Sequence, residues 1–253
     1  MYYHLKSAKG KLMQKYCVLV VLFFLSCQNR QGKSVTVTAS ANTNSARTSN
    51  GDRGVKPELK EFFADSVAIG KKSFDKIEFA KYRAADSSYA TIRFYAKENN
   101  RWEIKNEFHF KADSILEFDP KLSDFNRDGF NDITYVSTRA ARGANEVRKL
   151  FIYDSKNDKL IFLKNSEDYP NMLYNKELNC IDAFLISGCN TTIFLKIDRD
   201  SLKEFASIDQ CDRLTVSTYD QKGNEKVILR KKTNKDQFSR FKNYKPLKEY
   251  DEK

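Results

Sequence analysis

Short runs in which apolar and polar residues alternate recur along most of this chain, and they limit its fold more than any other feature. "SYATIRFYA" and "RWEIKNEFHF" flank the turn "KENN", and "DITYVSTR", "RKLFIYD" and "KLIFLK" follow. Further on come "CIDAFLI", "TTIFLKID", "LKEFASID", "RLTVSTYD" and "KVILRKK". A period of two sends successive side chains to opposite faces of a sheet. The links "SKND", "DRDS" and "QKGNE" carry the Asp, Ser, Gly and Asn of tight reversals. Ten strand candidates with no helical pattern between them predict an all-β fold, an antiparallel meander that is propeller-like or barrel-like. One stretch reads differently. In "PELKEFFADSVAIG", from Pro57 to Gly70, Leu59, Phe62, Phe63 and Val67 recur at helical spacing and predict a short N-terminal helix. With 19 Phe, 13 Tyr and a hydrophobic fraction of 40%, the chain has material for a sizeable core.

The ends of the chain read as accessories to that domain. "KLMQKYCVLVVLFFLSC" sets basic residues before the apolar run Val18 to Leu25, then a small residue and a cysteine. The run is shorter than the ~20 apolar residues a permanent membrane helix needs, and it fits the h-region of a secretory signal. Its end, "FLSC", resembles a bacterial lipobox. That resemblance implies a signal peptide over residues 1–26, acylation of Cys27 and a membrane held through lipid. The basic stretch ahead of the run is long, so Met13 competes with Met1 as the start. Residues 27–56 are rich in Ser, Thr, Asn, Ala and Gly and poor in bulky apolar groups, the composition of a flexible tether. No acidic cluster follows Cys27, which favours an outer membrane location facing the periplasm.

Charge is placed unevenly. The formal net charge is +11, but four lysines and no acid lie in residues 1–26, which leaves +7 on the mature chain. From Arg230 onward nine basic residues face four acidic ones, so the body from Cys27 to Leu229 carries only +2. A β domain over residues 57–232 and a basic, solvated C-terminal tail over 233–253 follow from this division. Nucleic acid is excluded as a partner by the secretion signal together with the near-neutral body.

The densest chemistry lies in "SDFNRDGFNDITYVS". With Asp124 as position one, Asn126 falls at three, Asp128 at five, Gly129 at six and Asp132 at nine. This D-x-N-x-D-G-x-x-D spacing is that of an EF-hand-like Ca2+ loop, in which alternate side chains of a sharp bend aim oxygens at one point. The Phe130 carbonyl supplies the seventh-position oxygen. Position twelve is Tyr135 where an EF-hand has Glu, and no helix follows. The loop resembles instead the strand-embedded calcium loops of FG-GAP and VCBS repeats, a likeness that implies Asp132 as a direct ligand. A hydrated turn without metal is the simpler alternative.

A second resemblance rests on order. "DFNRDGFNDI", then "LFIYDSKNDKLIF", then "YPNMLYNKELNCIDAFLISG" follow the sequence of motifs in lysozyme-inhibitor-like immunity proteins associated with antibacterial type IV secretion. The resemblance spans about residues 75 to 215, and its specific element is the calcium motif. It implies a calcium-containing, propeller-like β domain that does not catalyse and that blocks a peptidoglycan hydrolase, or engages another envelope protein. An FG-GAP or VCBS-like adhesion or glycan-binding module is the alternative.

The remaining chemistry is sparse. Cys189 and Cys211 fall at nearly matched positions across the hairpin that turns near Arg199 and Asp200, which predicts a disulfide clipping its mouth and leaves Cys180 over. The only mature histidine, His109, lies in "EFHF" without a neighbouring nucleophile. There is no HExxH, G-x-S-x-G, P-loop or four-ligand zinc spacing. Glu103 and Glu107 share a strand face, as solvated strand carboxylates often do, and Trp102 with nearby Tyr residues fits cross-strand packing better than sugar stacking. No catalytic residue is predicted.

Overall fold

In the computed structural model, residues 56–232 and 239–251 are described. The signal segment, Cys27 and the tether through residue 55 lie outside the described residues. The remainder is all-β and antiparallel. A first sheet runs in sequence order through β1 (Glu58–Asp65), β2 (Asp75–Arg83), β3 (Ser88–Glu98) and β4 (Arg101–Lys111). A second holds β5 (Lys121–Ser123), β6 (Asp132–Ala140), β7 (Asn145–Asp154) and β8 (Lys159–Phe162). A third, six-stranded sheet holds β9 (Leu173–Asn175), β10 (Cys180–Ile186), β11 (Asn190–Asp198), β12 (Ser201–Gln210), β13 (Arg213–Tyr219) and β14 (Glu225–Lys232). A closing hairpin pairs β15 (Phe241–Tyr244) with β16 (Leu247–Glu249).

Local chemistry sets the reversals. Asn99 and Asn100 join β3 to β4 as a two-residue turn, both at positive φ (48° and 63°). Asn tolerates that region, and two such residues match the twist of a hairpin. The β11–β12 turn pairs Asp198 with Ser201 across Arg199, itself at φ 59°.

Period two then stacks the sheets. In β7, Phe151 and Tyr153 face the first sheet, in a cluster with Ile77, Phe79, Ile92 and Phe94. Leu150 and Ile152 face the opposite way, in a cluster with Ile181, Ala183, Ile193 and Leu195 of the third sheet. The uninterrupted apolar run "LFIY" is therefore a strand buried on both faces. The third sheet repeats the device, turning Phe194, Ala206 and Ile208 toward Phe241, Tyr244 and Leu247 of the closing hairpin.

Three expectations are corrected by this arrangement. The stretch Pro57 to Gly70 forms no helix. It supplies β1, which pairs with β2 from Glu58↔Arg83 to Asp65↔Ile77 and sets Phe63 edge-on to Phe79 at 6.2 Å. A single amphipathic segment of that length is a marginal helix, whereas the unpaired edge of β2 offers a full ladder of hydrogen bonds. Among the described residues no sheet closes into a barrel and no ring of propeller blades forms. The far face of the third sheet is covered by the β15–β16 hairpin, so it does not pack back on the first. The same hairpin means that the C-terminal segment is not simply a solvated basic tail. Phe241 is buried, and Arg240 pairs with the fully buried Asp182 through Nε at 2.7 Å.

Candidate functional site

The acidic loop joins β5 to β6 and folds around its own backbone. Asp124 accepts from the Asp128 amide at 3.2 Å and the Gly129 amide at 3.0 Å. The Asn126 carbonyl oxygen accepts from the Asp128 amide at 3.1 Å, and Asp128 accepts from the Phe130 amide at 2.9 Å. Arg127 (φ 59°) and Gly129 (φ 91°) make the bend. A Cβ at Gly129 would meet nothing within 4 Å, so the glycine is needed for its backbone conformation and not for space.

Asp132 behaves differently from the other three. It is the first residue of β6, fully buried, and its two oxygens accept from the amides of Phe125 at 2.7 Å and Tyr153 at 2.9 Å. One carboxylate thus ties the start of the loop, β6 and β7 together. Burial pushes its pKa up to about 7, helped by the charges of Asp128 and Asp124 and opposed by the two amides. The loop also reaches the connection between β1 and β2. Asn131 bridges to Ile69 and donates its side-chain N–H to the Ala68 carbonyl at 3.0 Å, while Phe130 packs edge-on against Tyr153.

The donor set is chemically suited to a hard cation. Asp124, Asn126 and Asp128 offer side-chain oxygens, Phe130 offers a carbonyl, and Asp132 anchors the far end. Their present arrangement satisfies those oxygens with amides, and Asn126 turns its NH2 toward Asp128 at 3.0 Å. Among the described residues no three or more His, Cys, Asp or Glu side chains are gathered as a metal would hold them. Binding Ca2+ would require the exposed part of the loop to reorient.

Beside the loop lies a groove that sequence reasoning missed. A hollow of about 510 Å³ is lined by β5, Phe125, Arg148 of β7, Leu173 and Tyr174 of β9, and Arg240. A second, of about 470 Å³, shares Tyr174 with the first and is lined also by Asn175, Lys176, Glu177, Lys242 and Tyr250. Arg148 is buried and held by Glu146 (2.7 Å), by Asp119 and by the Thr134 hydroxyl (3.2 Å). Arg127 of the loop lies 6.0 Å from the Tyr174 ring, so loop and groove adjoin. No spacing rule could have assembled residues from β5, β7, β9 and the C-terminal segment; the one available signal was the excess of basic residues after Arg230.

Cys189 and Cys211 form a disulfide with Cα atoms 4.8 Å apart, one step beyond the Asn190↔Gln210 pair of β11 and β12. Cys180 is a buried free thiol, pushed up to about 12 mainly by burial and then by the nearby Asp182 carboxylate. That environment disfavours the thiolate a nucleophile needs. His109 is largely exposed, with the Thr91 hydroxyl at 3.3 Å and Glu107 at 3.7 Å. Glu107 is engaged by Arg93 at 2.7 Å, and Trp102 lies under the ammonium groups of Lys76 and Lys97 on the open face of the first sheet. Among the described residues no helix is long and apolar enough to cross a membrane.

No family model matches the chain, and no curated protein matches it. Among solved structures, one described as "Structure of a Xanthomonas Type IV Secretion System related protein" is similar, with a TM-score of 0.43 and 9% identity. The likeness covers 70% of this chain and 98% of that one.

Proposed function

We propose that this chain is a non-catalytic lipoprotein of the cell envelope that binds a protein partner, and that Ca2+ braces the loop from Asp124 to Asp132. The partner class is a peptidoglycan hydrolase, held in an inhibitory, immunity-type complex in the periplasm. The observation that carries this reading is the Asp132 carboxylate, buried at the junction of loop, β6 and β7, at the end of a run of calcium-type donors. A cation there would fasten the loop to the sheet that packs on both neighbours, and so would stiffen the surface beside the groove. The signal and lipobox resemblance supports the compartment. Burial holds the Cys180 thiol protonated, which disfavours it as a nucleophile.

Two measurements test the reading. Ca2+ should bind the full chain with measurable heat and raise its melting temperature, and Asp124→Ala should abolish both effects. Lytic activity of a panel of lysozyme-type hydrolases should fall on adding the protein. Unchanged lysis across the panel would remove the inhibitory role, and glycan binding lost on adding chelator would favour the adhesion-type module instead.

A further inference from the structure

We propose that the two hollows meeting at Tyr174 form one docking groove for an extended, acidic segment of a partner protein. This rests on the reading of the chain as a protein binder and names the surface and the chemistry of what it takes. Three observations converge on it.

The first is backbone. All three residues of β9 line the hollows, and β9 ends the third sheet, so one side of the strand carries no partner strand. The same first hollow is lined by the three residues of β5, which ends the second sheet, and by Thr134 and Arg148 of the strands beyond it. Two free strand edges bordering one groove suit a polypeptide, whose alternating N–H and C=O groups can continue either ladder. A polysaccharide has no such repeat.

The second is charge. Lys121, Arg148, Lys176, Arg240 and Lys242 line the hollows against the carboxylates Glu146 and Glu177. Asp182 holds Arg240 from beneath and is wholly buried, so it fixes that guanidinium without facing the groove. Asp119 and Asp251 approach Lys121 (3.0 Å) and Lys242 (3.4 Å) from the margins. Lys176 is exposed and, among the described residues, no ion pair engages it. A second copy of the chain would bring the same cation-lined hollows here, whereas carboxylates on an extended segment meet Arg148 and Arg240 at one end and Lys176 and Lys242 at the other.

The third is apolar relief. Leu173 is about half exposed beside Tyr174, Met172 and Phe125, which gives alternate side chains of the incoming strand a surface to cover. The segment recognised is therefore one that alternates acidic and apolar residues.

The test uses the full chain in detergent and fluorescently labelled eight-residue peptides of alternating Glu and Val, or alternating Lys and Val. The acidic peptide should bind, more weakly as salt rises, and the basic one should not. Lys121→Glu with Lys176→Glu, both at the exposed rim, should weaken binding by about tenfold or more. Lys222→Glu, in the remote β13–β14 turn, should leave it unchanged. Equal binding of the two peptides, an equal loss with Lys222→Glu, or stronger capture of an anionic polysaccharide in the same groove would overturn the proposal. So would self-association of the chain blocked by the two rim substitutions. An envelope partner that still binds the rim variant at full strength would sink the groove and leave the binding function standing. Loss of all protein partners with peptide binding intact would do the reverse.

Discussion

Tyr153 concentrates much of this protein's chemistry on one side chain. Its amide donates to Asp132 and its ring packs on Phe130, while its hydroxyl donates to Asp158 at 2.9 Å and also contacts Asp75. The two carboxylates at that hydroxyl are driven in opposite directions. Asp75 is buried, and desolvation raises its pKa above the ordinary range despite the Lys71 amide at 2.5 Å. Asp158 is held below its ordinary range, first by the Lys71 ammonium group and then by Tyr153. Gly70 makes room for this arrangement, because at φ +50° any Cβ would collide with the Asp75 carboxylate. A depressed carboxylate stabilises the folded state above its unfolded pKa, and that contribution fades as pH falls through the folded pKa. Asp158→Asn should therefore lower stability at pH 7. The difference from the parent chain should shrink toward zero below the ordinary aspartate range, as read from denaturant midpoints at several pH values. A difference independent of pH would show that the ion pair with Lys71 is not its source.

Among the elements, β11 and β12 show how short-range pattern and covalent chemistry agree. Their register runs from Asn190↔Gln210 to Asp198↔Ser201, and the disulfide closes the open end opposite the Arg199–Asp200 turn. The pairing was legible because a hairpin fixes which residues face each other once its turn is located. Replacing both Cys189 and Cys211 with Ala should cost about 3 kcal/mol, in line with releasing a loop of this size in the unfolded chain, and should lower the melting temperature. Cys180 should react with thiol reagents only after unfolding, since it is buried beneath Phe241 and its neighbours. The strand β1 shows the opposite case. Leu59, Phe62 and Val67 kept a helical spacing, yet they are the residues left exposed, while Glu61, Phe63 and Asp65 face inward at every second position.

Across the full set of layers, the C-terminal segment is the piece that joins most. Arg240 and Tyr250 both bind the buried Asp182, and Asn175 of β9 donates to the same carboxylate at 2.9 Å and to the Lys242 carbonyl at 3.0 Å. The segment thus covers the third core cluster and forms one wall of the groove. Removing a partner from a buried ion pair leaves an uncompensated charge, so Arg240→Ala should destabilise the protein by about 3–5 kcal/mol. Guanidinium unfolding followed by circular dichroism would measure it. A change within 1 kcal/mol of the parent, roughly the scale of an exposed pair, would mean that Asp182 finds other compensation.

Alternation of apolar and polar residues, the hairpin turns, the disulfide partners and the acidic loop could all be read along the chain, because each depends on residues near one another in sequence. Asp124, Asn126, Asp128 and Asp132 lie within nine positions, so their spacing carries their chemistry. The groove could not be read that way. Lys121, Arg148, Tyr174 and Arg240 meet only when the second and third sheets stack and the last segment returns to the third. Tertiary packing also turned Pro57 to Gly70 into an edge strand and set Asp132 in the core. Local pattern fixes which face of a strand is apolar, but the neighbour that covers that face is chosen by packing between distant segments, which no short window contains.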